Sequence, residues 1–192
     1  MLMRAAVIVF AALLLPSDAF ANTRAGEKKA QLCLLCHKVA NTRAPLSPMP
    51  LLEGQPAPYL YRQTKAFKDG RRTDAAMQTN VANLSDRDMR DIADYLSAQK
   101  PVRGVYQIDP AKVAVGKARA QELGCASCHQ PTFAGTDQIP RLAGQTPGYL
   151  LMQLEAFGAG KRAHGAGDRR APAIALGEQE IEALAQFLAS VD

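Results

Sequence analysis

The sequence predicts an all-α chain made of two tandem copies of one small helical domain. Three observations lead there. Cys33-Leu34-Leu35-Cys36-His37 recurs as Cys125-Ala126-Ser127-Cys128-His129, 92 positions further on. Pro50-Leu51-Leu52-Glu53-Gly54-Gln55 recurs as Pro140-Arg141-Leu142-Ala143-Gly144-Gln145 at an offset of 90, as do Tyr59-Leu60 with Tyr149-Leu150 and Ala66-Phe67 with Ala156-Phe157. Leu84 with Leu176 and Tyr95-Leu96 with Phe187-Leu188 pair at 92 again. Self-similarity at a fixed period marks a duplication. Finally, the segments between Gly/Pro-rich loops carry apolar residues at helical spacing, with no convincing period-two alternation of a strand.

Taken in order, the chain opens with Arg4, an apolar run from Ala5 to Leu15, Pro16 and the small-x-small triplet Ala19-Phe20-Ala21. That run is too short to span a bilayer, and the pattern reads as a signal peptide, residues 1–21, cut before Asn22. Removing it leaves 171 of the 192 residues, which suits two domains of roughly 85 residues each. We expect a first domain over residues 22–104 and a second over 105–192, joined at Lys100-Pro101-Val102-Arg103-Gly104, where Pro and Gly break the helical pattern.

In each copy the first helix leads into the Cys-x-x-Cys-His unit, from about Ala25 to Leu35 and from Asp109-Pro110 to Leu123. Proline is well placed in a first helical turn. A second helix follows, over about Pro58 to Lys68 and Pro147 to Phe157. The last helix of the first copy starts at Ser85, with Asp88 at capping-box spacing, and carries Met89, Ile92, Tyr95 and Leu96 on one face. Its counterpart carries Ile181, Leu184, Phe187 and Leu188. The polar stretch between Gly70 and Asn80 reads as a loop.

The formal charge of +5 is unchanged by loss of the leader, which removes one base and one acid. A modest basic excess fits docking to an acidic protein face or peripheral association with anionic lipid. No nucleic-acid motif accompanies it.

In Cys-x-x-Cys-His, two thiols add to the vinyl groups of a haem and the adjacent histidine binds its iron. A zinc site made from both cysteine pairs would leave the two following histidines without a reason, and a thioredoxin-like redox pair would lack its βαβ context. Two haem c groups are therefore expected, attached to Cys33, Cys36, Cys125 and Cys128, with His37 and His129 as the proximal iron ligands. No thiol is then left for a disulfide.

The order Cys-x-x-Cys-His, Pro-x-Leu-x-Gly-Gln, Tyr-Leu, Phe-x-x-Gly-x-Arg, Met, Leu-Ser-Asp and a terminal aromatic helix resembles the cytochrome c4 family over essentially the whole mature chain. The resemblance implies two class I cytochrome c domains facing one another. It further implies periplasmic electron transfer from donors such as the cytochrome bc1 complex to a terminal oxidase or reductase. It also implies that the carbonyls of Pro50 and Pro140 accept hydrogen bonds from the proximal histidines, and that Met77, seven residues before Leu84, is the sixth ligand of the first haem.

The second copy departs from that pattern. Seven residues before Leu176 stands Arg169, and the stretch from Lys161 to Leu176 has no methionine. Arginine has no lone pair to give. His164, in a Gly-rich segment, is the candidate ligand nearby, beside a five-coordinate or water-bound iron and a ligand from elsewhere. Met152 is a second candidate ligand, but within a helix it reads rather as core, as do Met49 and Met89. The function expected is electron carriage without catalysis. The alternatives are the cytochrome subunit of a periplasmic dehydrogenase, or ligand binding at an open second haem.

Overall fold

A computed structural model describes residues 18–38, 47–104, 106–164 and 176–192, with side chains of the first helix from Arg24 onwards. Most of the expected signal peptide, and Arg169, lie outside the described residues. Among those described, every regular element is a helix: α1 (Asp18–His37), α2 (Ala57–Lys68), α3 (Ala75–Val81), α4 (Asp86–Ser97), α5 (Pro110–Glu122), α6 (Ala126–His129), α7 (Pro147–Gly158) and α8 (Glu178–Ser190). None is long and apolar enough to cross a membrane.

The local chemistry of the helix ends is readable. Ser85 and Asp88 form the reciprocal capping box at the start of α4, and Asp109 accepts from the Ala111 amide ahead of Pro110 at the start of α5. One element exceeds the sequence expectation. The stretch read as a loop contains α3, whose N-terminus is capped by the Asp74 carboxylate accepting from the Met77 amide at 2.9 Å.

Two cores form, one in each half. Ala30, Leu34, Leu60, Ile92, Ala93 and Leu96 are buried together in the first. Ala120, Phe133, Leu150, Leu184, Phe187 and Leu188 are among those gathered in the second. In both halves the first and last helices cross at close range: α1 on α4, and α5 on α8. The crossing depends on a glycine that the apolar pattern did not single out. A Cβ on Gly26 would lie 2.1 Å from the Asp91 carbonyl oxygen, and one on Gly116 would lie 2.0 Å from that of Ala183. Only a residue without a side chain lets the backbones approach so far. Lys29 adds ion pairs to Asp88 and Asp91 across the first crossing, and Arg119 pairs with Glu180 across the second.

After α1 and after α6, the Pro-x-Leu-x-Gly-Gln segment returns across its own half and is pinned to the end of the last helix. The Gly54 amide donates to Leu96 O at 2.9 Å, and the Gly144 amide to Leu188 O at 3.1 Å. That anchoring brings Pro50 and Pro140 back to the Cys-x-x-Cys-His units. Met89 is buried at 2% exposure, but Met49 and Met152, expected in the core, are each 37% exposed. Met49 sits on the segment between halves, where its backbone is used: its carbonyl accepts from Thr146 Oγ1 at 3.1 Å.

Candidate functional site

In the first half, a single helix carries the chain through Cys33 and Cys36 to His37. The i, i+3 spacing puts both sulfurs on one side of α1, one turn apart. Cys33 is partly buried and Cys36 exposed, and burial pushes the Cys33 thiol above its ordinary value. His37 is 6% exposed, and its Nδ1 lies 2.8 Å from the Pro50 carbonyl oxygen. A carbonyl only accepts, so Nδ1 carries the hydrogen and Nε2 keeps a free lone pair. Burial lowers the His37 pKa; the Pro50 contact and the Asp74 carboxylate oppose it. The imidazole is thus held neutral, oriented and ready to ligate. Asp74 itself caps α3, the helix that carries Met77.

The second half repeats this with a break. The C-terminal turn of α5 closes with Gly124 at φ +66, where the Cys125 amide donates back to Ala120 O at 3.1 Å, a glycine-capped helix end. The short α6 then carries Cys128 and His129. His129 is 7% exposed and its Nδ1 lies 2.9 Å from Pro140 O. Burial again lowers its pKa, the Pro140 contact opposes this, and His164 lowers it further.

His164 is the side chain that the chain brings to His129. Their ring centres are 6.1 Å apart with planes inclined at 51°. Its ring stands edge-on to Phe157 at 4.9 Å, and Arg162 lies over the same phenyl ring at 4.8 Å. Burial and the Arg162 charge both hold His164 below its usual pKa, so it too presents a neutral imidazole.

Between the halves lies a cluster that sequence reasoning did not assign. Arg72 donates to Gln63 at 2.8 Å, to the Tyr149 hydroxyl at 3.1 Å and to Gln153 at 3.0 Å. Arg162 donates to Gln153, to the Tyr59 hydroxyl at 3.1 Å and to Gln63 at 3.0 Å. Tyr59, Gln63, Arg72 and Tyr149, Gln153, Arg162 are related by the same offset of 90, so each arginine reaches across to the other half's tyrosine. The signal was present: Phe-x-x-Gly-x-Arg occurs in both copies, and Gln63 and Gln153 recur with it. Asp74 was missed as well, its cap being visible only once α3 is recognised as a helix.

These residues fit covalent haem. Each half offers two thiols one turn apart and a neutral, oriented imidazole next in sequence. Among the described residues no group of three or more His, Cys, Asp or Glu side chains gathers as a metal cage would require.

The comparisons agree. Residues 113–192 match the family model for cytochrome c. The chain is 35% identical to cytochrome c4 of Pseudomonas aeruginosa over 90% of each protein, and 30% identical to a thiosulfate dehydrogenase electron acceptor of Thiomonas intermedia over 88% of this chain and 83% of that one. Its fold superposes on the crystal structure of reduced recombinant cytochrome c4 from Pseudomonas stutzeri with a TM-score of 0.75 and 31% identity, covering 88% of this chain and 98% of that one. With its all-α fold and its two Cys-x-x-Cys-His units for haem c, this chain belongs to the cytochrome c4 family of dihaem electron carriers.

Proposed function

We propose that the chain is exported by its residues 1–21 to the periplasm. There it passes electrons from a respiratory donor such as the cytochrome bc1 complex to a terminal oxidase or reductase, without a reaction of its own. Residues 22–104 and 105–192 are its two haem domains. The observation that carries this is the doubled proximal arrangement: two buried histidines, each following a pair of cysteines and each with Nδ1 on a proline carbonyl, at 2.8 and 2.9 Å. Bound haem c supplies a one-electron iron couple. Cys33, Cys36, Cys125 and Cys128 would hold the two groups, and His37 and His129, whose Nδ1 atoms are occupied by proline carbonyls, would offer Nε2 to the irons.

On the opposite faces we assign Met77 to the first haem and His164 to the second. His164 brings a second neutral imidazole to within 6.1 Å of His129, ring centre to ring centre, and would be the residue to complete that haem site. An iron filled on both faces exchanges electrons rather than ligands, which favours carriage over catalysis.

The likeness to a thiosulfate dehydrogenase electron acceptor supports a second reading, in which the donor is a periplasmic dehydrogenase. Co-purification with such an enzyme from native extract would select it.

Optical spectra of the reduced protein under carbon monoxide test the ligand assignment. Wild type is expected to bind none, and His164→Ala to bind at one haem only. Carbon monoxide binding by wild type would overturn the assignment of His164 and open the second haem to ligand chemistry.

A further inference from the structure

The two glutamines that close the Pro-x-Leu-x-Gly-Gln segments do not serve their own halves. The Leu51 amide donates to Gln145 Oε1 at 2.7 Å, and Gln145 Nε2 donates back to Leu51 O at 3.0 Å. In mirror image, the Arg141 amide donates to Gln55 Oε1 at 3.0 Å, and Gln55 Nε2 donates to Arg141 O at 2.8 Å. Both glutamines are buried, at 6% and 4% exposure, and each replaces, for one residue of the opposite half, the pairing a neighbouring strand would give.

The residues they clasp are placed with consequence. Leu51 follows Pro50, so the Leu51 N–H and the Pro50 C=O belong to one peptide unit; so do the Arg141 N–H and the Pro140 C=O. Resonance couples the two ends of a peptide group. An acceptor on the N–H draws charge onto the carbonyl oxygen and strengthens it as an acceptor in turn. A continuous chain therefore runs from His37 Nδ1 to Pro50 O, through that peptide to the Leu51 N–H, and on to Gln145. A second runs from His129 through Pro140 and Arg141 to Gln55. Hydrogen bonding at the remote nitrogen of a ligating imidazole raises its basicity as a ligand.

We propose that Gln145 and Gln55 are positioning residues acting crosswise, each setting the donor strength of the histidine that ligates the haem of the other half. The inference rests on the assignment of His37 and His129 as proximal ligands. It makes the docking of the halves part of the tuning of each site. A loosened interface weakens the acceptor of each histidine, makes it a poorer donor and favours the reduced iron.

The test is Gln145→Met in the full dihaem protein, which keeps the volume and removes the amide. Thr146→Val serves as a control, since it deletes a neighbouring buried bond to Met49 O that is not in the chain. In the reduced protein the His37 Nδ1–H proton resonance of Gln145→Met is expected to move upfield and exchange faster, with the midpoint potential of the first haem raised. His129 and the second haem should be unaffected. Gln55→Met should do the reverse, and provides the test should Gln145→Met not fold. Unchanged histidine signals, a response confined to the substituted half, or an equal response to Thr146→Val would each overturn the proposal. Failure of the underlying ligand assignment is distinguishable in the same spectra, because an unligated wild-type imidazole would titrate with pH whereas an iron-bound one would not.

Discussion

The two halves keep their proximal sides nearly identical and differ on the other side. His37 and His129 meet their proline carbonyls at 2.8 and 2.9 Å, and the contacts that Gln55 with Gln145 and Arg72 with Arg162 make between the halves repeat residue for residue. The first half has α3, with Met77 on it and an Asp74 carboxylate at its cap whose charge bears on His37. The second has His164 against Phe157, with the Arg162 guanidinium beside it. A duplication thus preserved what orients the histidine and let the surrounding side chains diverge, α3 in one half and His164 in the other. Methionine ligation raises a haem potential relative to a second histidine. The carboxylate near His37 and the guanidinium near His164 act the other way, through charge, and narrow the gap.

The largest expected effect follows from erasing the distal difference. His164→Met should give the second haem a methionine-to-iron charge-transfer band and raise its potential by roughly 0.1–0.2 V, a fraction of the ~0.8 V that axial ligation spans. Potentiometric titration should then show the two waves drawn together. A wave for the second haem that stays in place would mean that His164 is not its ligand.

A smaller effect sharpens the comparison from the shared side. Gly26→Ala and Gly116→Ala each force a methyl group to about 2 Å from a carbonyl oxygen of the crossing helix. Backbones must separate, at a cost of about 1–3 kcal/mol each. Denaturant midpoints should fall for both substitutions alike. A loss for one alone would show that only one of the crossings is rigid.

How much of this was legible in the sequence follows the same division. The duplicated parts were readable because each copy vouches for the other: the Cys-x-x-Cys-His units, the proline segments and the apolar faces of α4 and α8. The helix α3 was not, because its seven residues carry little apolar periodicity and only the Asp74 cap announces it. Met49 and Met152 were misplaced because a methionine in a repeat says nothing about which surface the other half covers. The crosswise contacts of Gln55 and Gln145, or of Arg72 and Arg162, depend on the docking of the halves, which local pattern does not encode.

The smallest effect concerns one repeat position read twice. Tyr59, half-buried, and Tyr149, buried, each receive a guanidinium hydrogen bond from the other half, yet they are pushed apart. Burial raises Tyr59, assisted by charge on Tyr149, to about 12 against the pull of Arg162 and Arg72. Burial raises Tyr149 too, but Arg162, Arg72 and hydrogen bonds from Arg72 and Tyr59 outweigh it and bring that phenol to about 8. An unfolded tyrosine titrates near 10, so between about pH 8 and about pH 10 the unfolded chain binds more protons at Tyr149 than the folded one. Stability should rise with pH through that window. Tyr59 behaves oppositely, losing stability only between about 10 and 12. Denaturant midpoints measured across the lower window should therefore rise in wild type and rise less in Tyr149→Phe, with Tyr59→Phe leaving the first titration to Tyr149. An equal loss of slope in both variants would mean that the two phenols share the proton and that the halves are equivalent at this position.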